Sequence, residues 1–263
     1  MIAIEALDAE PLHRLSYLGA DPGGGRSVAQ LRIERARVHG LPDDLDALIA
    51  TSDLQGIVPD PYTGESTLLG VAVAESLEGL ILEGVLPPAE RTGVLLAGDL
   101  YSVPTADKRG GHGEVRAVWK AFAERFAWVV GVAGNHDDVT AVARIQRAHL
   151  LDGDCAEIGG GLRIGGVSLI CGDPTRRGRR DETHQLEHIE RVAAGGVDVL
   201  LLHEGPIGDG PQQRGHPAIR ALVEEHAVPL TVCGHDHWEP ALARHRRGQI
   251  LNVDARVVAL LRP

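Results

Sequence analysis

Near its middle the chain reads Val129-Val-Gly-Val-Ala-Gly-Asn-His-Asp-Asp138. An apolar, β-branched run ends in Gly134, and Asn135, His136 and Asp137 follow at once. Such a run is typical of a buried strand, and the polar side chains begin where that strand breaks into a loop. Open α/β sheets present metal ligands and proton-transfer groups at this position. The stretch therefore predicts an α/β protein with a functional site at a strand end.

The same pattern recurs along the chain, because further apolar runs each end in an Asp or a His. Ligand sites of open sheets lie beyond the carboxyl ends of the strands, so we expect these side chains to converge. Independent turns have no reason to place such residue types at so many strand ends. The runs are Leu48-Ile-Ala-Thr-Ser-Asp53, Val94-Leu-Leu-Ala-Gly-Asp99, Val199-Leu-Leu-Leu-His203 and Leu230-Thr-Val-Cys-Gly-His235-Asp-His237.

The composition indicates a globular protein without a basic surface. With 263 residues, of which 43% are apolar, the chain is long enough for one large domain with a sizeable core. Its net charge of −11 argues against a general binder of nucleic acids or membranes, because both select basic surfaces. The charge is compatible with a metal site that handles phosphate, since bound divalent ions invert the local field.

The setting expected from the sequence is soluble and cytoplasmic. Early acidic residues leave no visible signal peptide, and no run approaches the roughly 18 apolar residues of a membrane span. The chain has an odd number of cysteines, namely Cys155, Cys171 and Cys233. An odd number favours a reducing compartment over a framework of disulfides. Nothing in the sequence indicates the oligomeric state.

The patterning predicts an N-terminal extension over residues 1–47, packed on the edge of a main domain over residues 48–263. In the extension, Leu31-Arg-Ile-Glu-Arg-Ala-Arg-Val38 alternates apolar and charged residues as a half-exposed strand does. In the main domain we expect a hairpin turned at Gly165-Gly166 and short antiparallel strands over residues 241–261. Helices on the outside of two sheets would account for this mixture. The predicted helices cover residues 67–83, 115–126, 139–150, 182–194 and 217–226.

The candidate ligands form a mixed nitrogen and oxygen set. Carboxylates, imidazoles and an amide suit Mn²⁺, Fe or Zn²⁺, whereas a structural zinc site would use thiolates. A central carboxylate can bridge two ions about 3.5 to 4 Å apart, a spacing that clamps a nucleophile and a phosphoryl oxygen. The chemistry indicated is hydrolysis at phosphorus. The set comprises Asp53, Asp99, Asn135, His203, His235 and His237, with His136 beside them.

Together these motifs resemble the calcineurin-like metallophosphoesterase superfamily. The resemblance covers roughly residues 48–261 and implies a four-layer α/β/β/α sandwich of two mixed sheets flanked by helices. It also implies a binuclear metal centre whose bridging hydroxide cleaves a phosphoester. The motifs that carry it are Gly98-Asp99, Gly134-Asn-His-Asp137, His203 and Gly234-His-Asp-His237.

Site roles follow from the resemblance position by position. His136, held by Asp137, would sit above the phosphate as transition-state stabiliser or as general acid to the leaving oxygen. Asp99 would bridge the ions. By this reading Asp53, Asp99 and His237 would bind the first ion, and Asp99, Asn135, His203 and His235 the second.

One position departs from the family pattern. Its first motif is usually Asp-x-His, whereas this chain has Asp53-Leu-Gln55. An amide oxygen is a neutral and weaker donor than imidazole, and carbonyl oxygen favours Mn²⁺ or Mg²⁺ over Zn²⁺. We therefore expect Mn²⁺ as the preferred activator and a first ion that exchanges easily. The alternative is that Gln55 points away and leaves that ion one ligand short.

Two basic segments are candidates for contacts to substrate phosphate. Guanidinium groups bind phosphate oxygens in pairs, which favours Arg176 and Arg177 in Pro174-Thr-Arg-Arg-Gly-Arg-Arg180. The loop after Asp99 offers Lys108, Arg109 and His112 for the same purpose. The alternative for both segments is a solvated surface turn.

The sequence thus predicts a cytoplasmic binuclear phosphohydrolase. It does not separate phosphomonoesters from phosphodiesters, and the acidic charge favours a small phosphodiester or nucleotide over long nucleic acids. One alternative is a metal-binding scaffold of the same fold that has lost turnover, for which Gln55 is the supporting feature. The other is a metal-dependent nuclease, which would need a basic groove that the sequence does not obviously supply.

Overall fold

The computed structural model describes residues 1–21, 23–60, 63–108 and 110–263. Its helices are α1 (Leu69–Leu82), α2 (Arg116–Arg125), α3 (Glu182–Ala194) and α4 (Pro217–Glu225). The first ten strands are β1 (Ala3–Leu7), β2 (His13–Ala20), β3 (Arg26–His39), β4 (Ala47–Ser52), β5 (Ile57–Pro59), β6 (Ser66–Leu68), β7 (Thr92–Leu96), β8 (Gly113–Glu114), β9 (Trp128–Gly131) and β10 (Asp137–Asp138). The others are β11 (Ala148–Leu150), β12 (Asp154–Ile158), β13 (Leu162–Val167), β14 (Ile170–Cys171), β15 (Arg179–Arg180), β16 (Val199–Glu204), β17 (Leu230–Gly234), β18 (Leu242–His245), β19 (Gly248–Asn252) and β20 (Arg256–Leu261).

Two large mixed sheets make up the scaffold. The first has the order β11-β9-β7-β4-β20-β3-β2-β5-β6, with β1 paired to β3. The second has the order β12-β13-β16-β17-β19-β18. In the first sheet β4, β7 and β9 run parallel, and in the second β13, β16, β17 and β19 run parallel. The carboxyl ends of the parallel strands in each sheet therefore lie at one edge, and the protein has a mixed α/β fold.

Three apolar clusters hold these elements together. One contains side chains from both large sheets, for example Leu48 and Val130 from the first and Val199 and Val232 from the second. Another joins the first sheet to α1 and α2, and the last joins the second sheet to α3 and α4. Strands covered on both faces explain the continuous apolar runs in the sequence.

Four of the five predicted helices are confirmed by α1 to α4, and the helix expected over residues 139–150 is wrong. Asp138 Oδ1 accepts hydrogen bonds from the backbone and the hydroxyl of Thr140, which makes a turn. A short 3₁₀ helix, Val142–Arg144, follows. The chain then reverses at Arg147, whose φ is +63°, and β11 pairs with β9. In residues 148–150, hydrogen bonding to the free edge of β9 therefore replaces the helix that the spacing of the apolar residues predicts.

The hairpin predicted at Gly165-Gly166 is also wrong, because both glycines lie within the single strand β13. A Cβ at Gly165 would come within 2.3 Å of Val192, and one at Gly166 within 2.7 Å of Leu151. The glycines therefore permit close packing of neighbouring elements. The turn lies earlier, between β12 and β13, which pair antiparallel.

The ends of the chain meet in the first sheet. β20 lies between β4 and β3, antiparallel to β4 and parallel to β3. Of the expected tail strands, β18 and β19 do form an antiparallel pair, while β20 crosses to the other sheet. Ile2, Ile4 and Val38 from the first 47 residues are buried in the cluster between the large sheets. In the described part of the chain, no helix is both long and apolar enough to cross a membrane.

Candidate metal centre

Three of the predicted ligands adopt an unusual backbone conformation. The φ angles of Asp53, Asp99 and His235 are +53°, +55° and +70°, which side-chain-bearing residues rarely adopt. Each of these residues follows a strand of a large sheet. Backbone strain of this kind costs about 1–3 kcal/mol per residue and concentrates at functional sites, where it aims a side chain.

Glycines beside the ligands let the loops approach closely. A Cβ at Gly98 would lie 2.5 Å from the backbone nitrogen of Gly134, and one at Gly134 would lie 2.0 Å from Asp99 Oδ1. Both contacts are closer than real Cβ atoms come. The loops after β7 and β9 therefore fit together only because these two positions carry no side chain.

Asp99 is the centre of the arrangement and is almost fully buried. Its Oδ1 accepts from the backbone N–H of His136 at 2.9 Å, and its Oδ2 accepts from Gln55 Nε2 at 2.9 Å. His203 Nε2 lies 3.4 Å from the same Oδ2. One carboxylate thus contacts residues from two separate loops and from strand β16.

His203 is held in a defined orientation. Its Nδ1 donates to the backbone oxygen of Ala97 at 2.8 Å, so Nε2 is the nitrogen left for a ligand. Asn135 Oδ1 lies 3.2 Å from that Nε2, and the His235 ring stands edge-on to the His203 ring at 5.1 Å. The side chains of Asn135, His203 and His235 therefore point into one space beside Asp99.

This space fits a divalent ion. Single ligand atoms of Asp99, His203 and His235 all lie within 4.8 Å of one another. A carboxylate and two imidazoles are donors that transition metals accept, and the Asn135 amide oxygen stands beside them. The predicted ligands of the second ion are therefore together in the structure.

The charges at this site are balanced against one another. Burial, followed by the charge of Asp254, raises the pKa of Asp53 well above its ordinary value. Burial is the largest influence on Asp99 and acts to raise its pKa, but the charges of His203 and His136 and the hydrogen bonds from both residues together outweigh it, and the pKa is lowered. Burial is the largest influence on His203 and acts to lower its pKa, but Asp99, Asp53 and the hydrogen bond to Ala97 together raise it to about 10. A proton on His203 thus balances carboxylate charge at a position that suits a cation.

The predicted ligands of the first ion are less well assembled. Asp53 Oδ2 accepts from the Ser52 hydroxyl and from the His235 backbone N–H. Gln55 uses its amide nitrogen toward Asp99, so its oxygen would have to replace that nitrogen before it could bind an ion. Asp53, Gln55 and Asp99 nevertheless line one cavity.

His237 is turned to other partners. Its Nδ1 lies 3.0 Å from Asp254 Oδ1, and its Nε2 lies 3.3 Å from the Nη2 of Arg256, which donates to it. Arg256 is buried and also donates to the backbone oxygen of Trp238 at 2.7 Å. The group of ligand atoms around Asp99 found among the described residues does not include His237.

His136 and Asp137 have different surroundings. The backbone N–H of His136 is fixed by Asp99, and its ring faces the cavity with the side chain 23% exposed. The Asp137 carboxylate accepts backbone N–H groups of Leu100, Tyr101 and Gly134. Burial, followed by the charge of Asp99, raises the pKa of Asp137 to about 6. Asp137 therefore ties two loops together, and no hydrogen bond between described atoms joins it to the His136 ring.

The residues predicted to contact substrate phosphate differ in their position relative to the cavity. Lys108 lines the cavity. Arg109 lies outside the described residues. His112, Arg176 and Arg177 are exposed, and none of the three is among the described residues that line the cavity.

The cavity has a volume of about 580 Å³ and contains residues that the sequence reasoning missed. Asp254 follows the apolar strand β19, so the strand-end pattern applied to it as well. Tyr17 and Ser27 come from β2 and β3 in the first 47 residues. Their presence depends on tertiary pairing, for which the local sequence gives no signal.

A family model described as calcineurin-like phosphoesterase matches residues 48–239. The chain belongs to this family. Membership in the calcineurin-like phosphoesterases implies metal-dependent hydrolysis of phosphoesters, and the group at Asp99, His203 and His235 is a candidate metal site for it.

Solved structures share the fold of this calcineurin-like phosphoesterase. The crystal structure of TT1561 of Thermus thermophilus aligns with a TM-score of 0.50 and 14% identity, covering 80% of this chain and 90% of TT1561. Another crystal structure aligns with a TM-score of 0.54 and 11% identity, covering 81% of this chain and 90% of its own. At these identities the likeness concerns the fold alone. A comparison with curated proteins gives no match.

Proposed function

We propose that this calcineurin-like phosphoesterase is a binuclear metal-dependent phosphohydrolase that cleaves a small phosphodiester or nucleotide. The observation that carries the proposal is the convergence of Asp99, His203 and His235, with ligand atoms within 4.8 Å, beside a cavity of about 580 Å³. A cavity of this size accommodates a small molecule. The net charge of −11 disfavours long nucleic acids as substrates.

The two ions would be held unequally. Four donors for the second ion already face one another, whereas the first ion requires Gln55 to present its oxygen and His237 to leave Arg256. We expect the second ion to remain through dialysis and the first to exchange readily. The residues concerned are Asp99, Asn135, His203 and His235 for the second ion, and Asp53, Gln55, Asp99 and His237 for the first.

The chain's own groups would position the reacting phosphate. When bound, divalent ions acidify a water and neutralise charge that develops on phosphorus. The His136 ring faces the cavity from a backbone fixed by Asp99, and it would donate a proton to the leaving oxygen. Asp137 would keep the two loops in register, and Lys108 would attract the anionic substrate.

The wider setting belongs to the same proposal. The three apolar clusters support a four-layer α/β/β/α sandwich, with residues 1–47 as an extension of a main domain over residues 48–263. Cys155, Cys171 and Cys233 are free thiols, which supports a reducing location such as the cytoplasm.

The test is reconstitution of metal-stripped protein with Mn²⁺ or Zn²⁺, assayed on bis-p-nitrophenyl phosphate and p-nitrophenyl phosphate. We expect turnover of the diester above metal alone, and more with Mn²⁺ than with Zn²⁺, because the first site offers mainly oxygen donors. Asp99→Asn should abolish turnover, whereas Asp43→Asn, at a fully exposed carboxylate, should not change it. Rates equal to metal alone would instead favour a catalytically silent scaffold.

A further inference from the structure

One wall of the candidate catalytic cavity comes from the β2–β3 hairpin. The hairpin register pairs Tyr17 with Ala29 and Gly19 with Ser27, and all four line the cavity. Residues two apart along a strand face the same side, so these four form one continuous surface. Leu18 and Val28 pair between them and lie on the opposite face, where Val28 is 70% exposed.

This wall lies outside the part of the chain that matches the family model. That match begins at residue 48, whereas β2 and β3 end at Ala20 and His39. The hairpin therefore adds a surface to the cavity that the matched region does not supply, and this surface is a place where substrate choice can be set.

The wall carries a tyrosine ring packed against backbone. A Cβ at Gly56 would lie 2.3 Å from Tyr17 Cδ2, so the Tyr17 ring lies directly against the chain there. Tyr101 has the same arrangement, because a Cβ at Gly113 would lie 2.2 Å from its Cε2. Both rings line the cavity. Aromatic surfaces held this closely lose little conformational entropy when they bind a ligand.

We propose that Tyr17 and Tyr101 bind the planar aromatic part of the substrate, such as the base of a nucleotide, while the phosphate lies at Asp99. The small side chains of Gly19, Ser27 and Ala29 leave room for a flat ring beside Tyr17. Lys108 lines the same cavity and complements the negative charge of the ligand. This inference rests on the proposed phosphohydrolase function, whose substrate class it names.

The test compares equilibrium binding of AMP and ribose 5-phosphate, which share the phosphate and sugar and differ in the base. Calorimetry on the Mn²⁺-loaded full chain should show AMP binding at least about tenfold more tightly, within the range that base–aromatic stacking provides. Tyr17→Ala should reduce that preference at least about fivefold, whereas Tyr17→Phe, which keeps the ring, should retain it. Released inorganic phosphate is measured after each titration, so that heat from hydrolysis is not counted as binding.

A matched pair of variants tests the position of the base. Ser27→Trp would fill the cavity and should weaken AMP binding at least about tenfold. Val28→Trp, on the opposite face of the same strand, should leave it unchanged. Equal binding of AMP and ribose 5-phosphate by the unmodified protein would overturn the proposal, and so would equal losses in Tyr17→Ala and Tyr17→Phe.

The outcomes also separate this inference from the proposed function. Hydrolysis of bis-p-nitrophenyl phosphate together with equal AMP and ribose 5-phosphate binding would retain the phosphohydrolase and reject the aromatic wall. A base preference without hydrolysis of any phosphoester would retain the wall and reject the phosphohydrolase.

Discussion

At the scale of single residues, Gln55 weakens one half of the candidate metal centre. Its amide nitrogen donates to Asp99 Oδ2 at 2.9 Å, so this side chain now supports a ligand without acting as one. Gln55→His should strengthen the first site, because imidazole is a better donor than a neutral amide. We expect the dissociation constant of the more weakly bound ion to fall at least about tenfold. We also expect the ratio of activity with Zn²⁺ to activity with Mn²⁺ to rise.

Metal titration with an ion-sensitive dye measures this change. Gln212→His is the control, since Gln212 is exposed and is not among the described residues that line the cavity. The more weakly bound ion is the first ion. If the Gln55→His protein binds this ion no more tightly than the Gln212→His protein does, Gln55 is not a ligand of the first ion.

Asp137 supports a different residue-scale prediction. Its carboxylate accepts hydrogen bonds from the backbone N–H groups of Leu100, Tyr101 and Gly134. With Asn at this position, the side-chain NH₂ group would face one of these backbone N–H groups, and both are donors. Asp137→Asn should therefore lower the free energy of unfolding by about 1–3 kcal/mol. Urea denaturation measures the loss, and Asp138→Asn, which keeps an oxygen for Thr140, should cost less. Equal stability of both variants would contradict the role given to Asp137.

At the scale of elements, the loops after β7 and β9 fit together through glycine. A Cβ at Gly134 would stand 2.0 Å from Asp99 Oδ1, so Gly134→Ala must displace the carboxylate. We expect metal affinity to fall at least about tenfold, the scale of losing a support for a ligand. Equilibrium dialysis of the metal provides the measurement.

Gly79 is the matched control. It lies in α1 with open space where a Cβ would be, so Gly79→Ala should raise the free energy of unfolding by about 0.5–1 kcal/mol. Metal affinity should stay unchanged in that variant. A Gly134→Ala protein with normal metal affinity would show that the loops have room to move.

Features with a local signal could be predicted from the sequence. That Asp99, His203 and His235 lie together could be expected because each follows an apolar run, and parallel strands bring such ends to one edge. Their role as metal ligands stays a prediction. The helix predicted over residues 139–150 was wrong because β11 pairs with β9, and this long-range contact leaves no signal in the local sequence. The hydrogen bonds of His237 with Asp254 and Arg256 were equally invisible, since they depend on how β20 lies in the first sheet.

At the scale of the whole molecule, the N-terminal segment is built into the structure. β3 pairs with β20 along six positions, and Ile2, Ile4 and Val38 lie in the cluster between the sheets. Deletion of residues 1–40 would expose that cluster and leave β20 as an open edge. We expect the shortened chain to aggregate, as measured by size-exclusion chromatography and circular dichroism. A monomeric, Mn²⁺-activated fragment would show instead that residues 41–263 fold alone.

The position of Trp238 has a practical consequence. Its indole is buried and donates to Arg214, and its carbonyl accepts from Arg256, the residue that also holds His237. An ion that recruits His237 would break that contact and alter the packing around the indole. Tryptophan emission should then change during a metal titration, and Trp238→Phe should remove the change. Trp238 thus lies beside the weaker of the two proposed sites, and this emission change would report the occupancy of that site in solution without a dye.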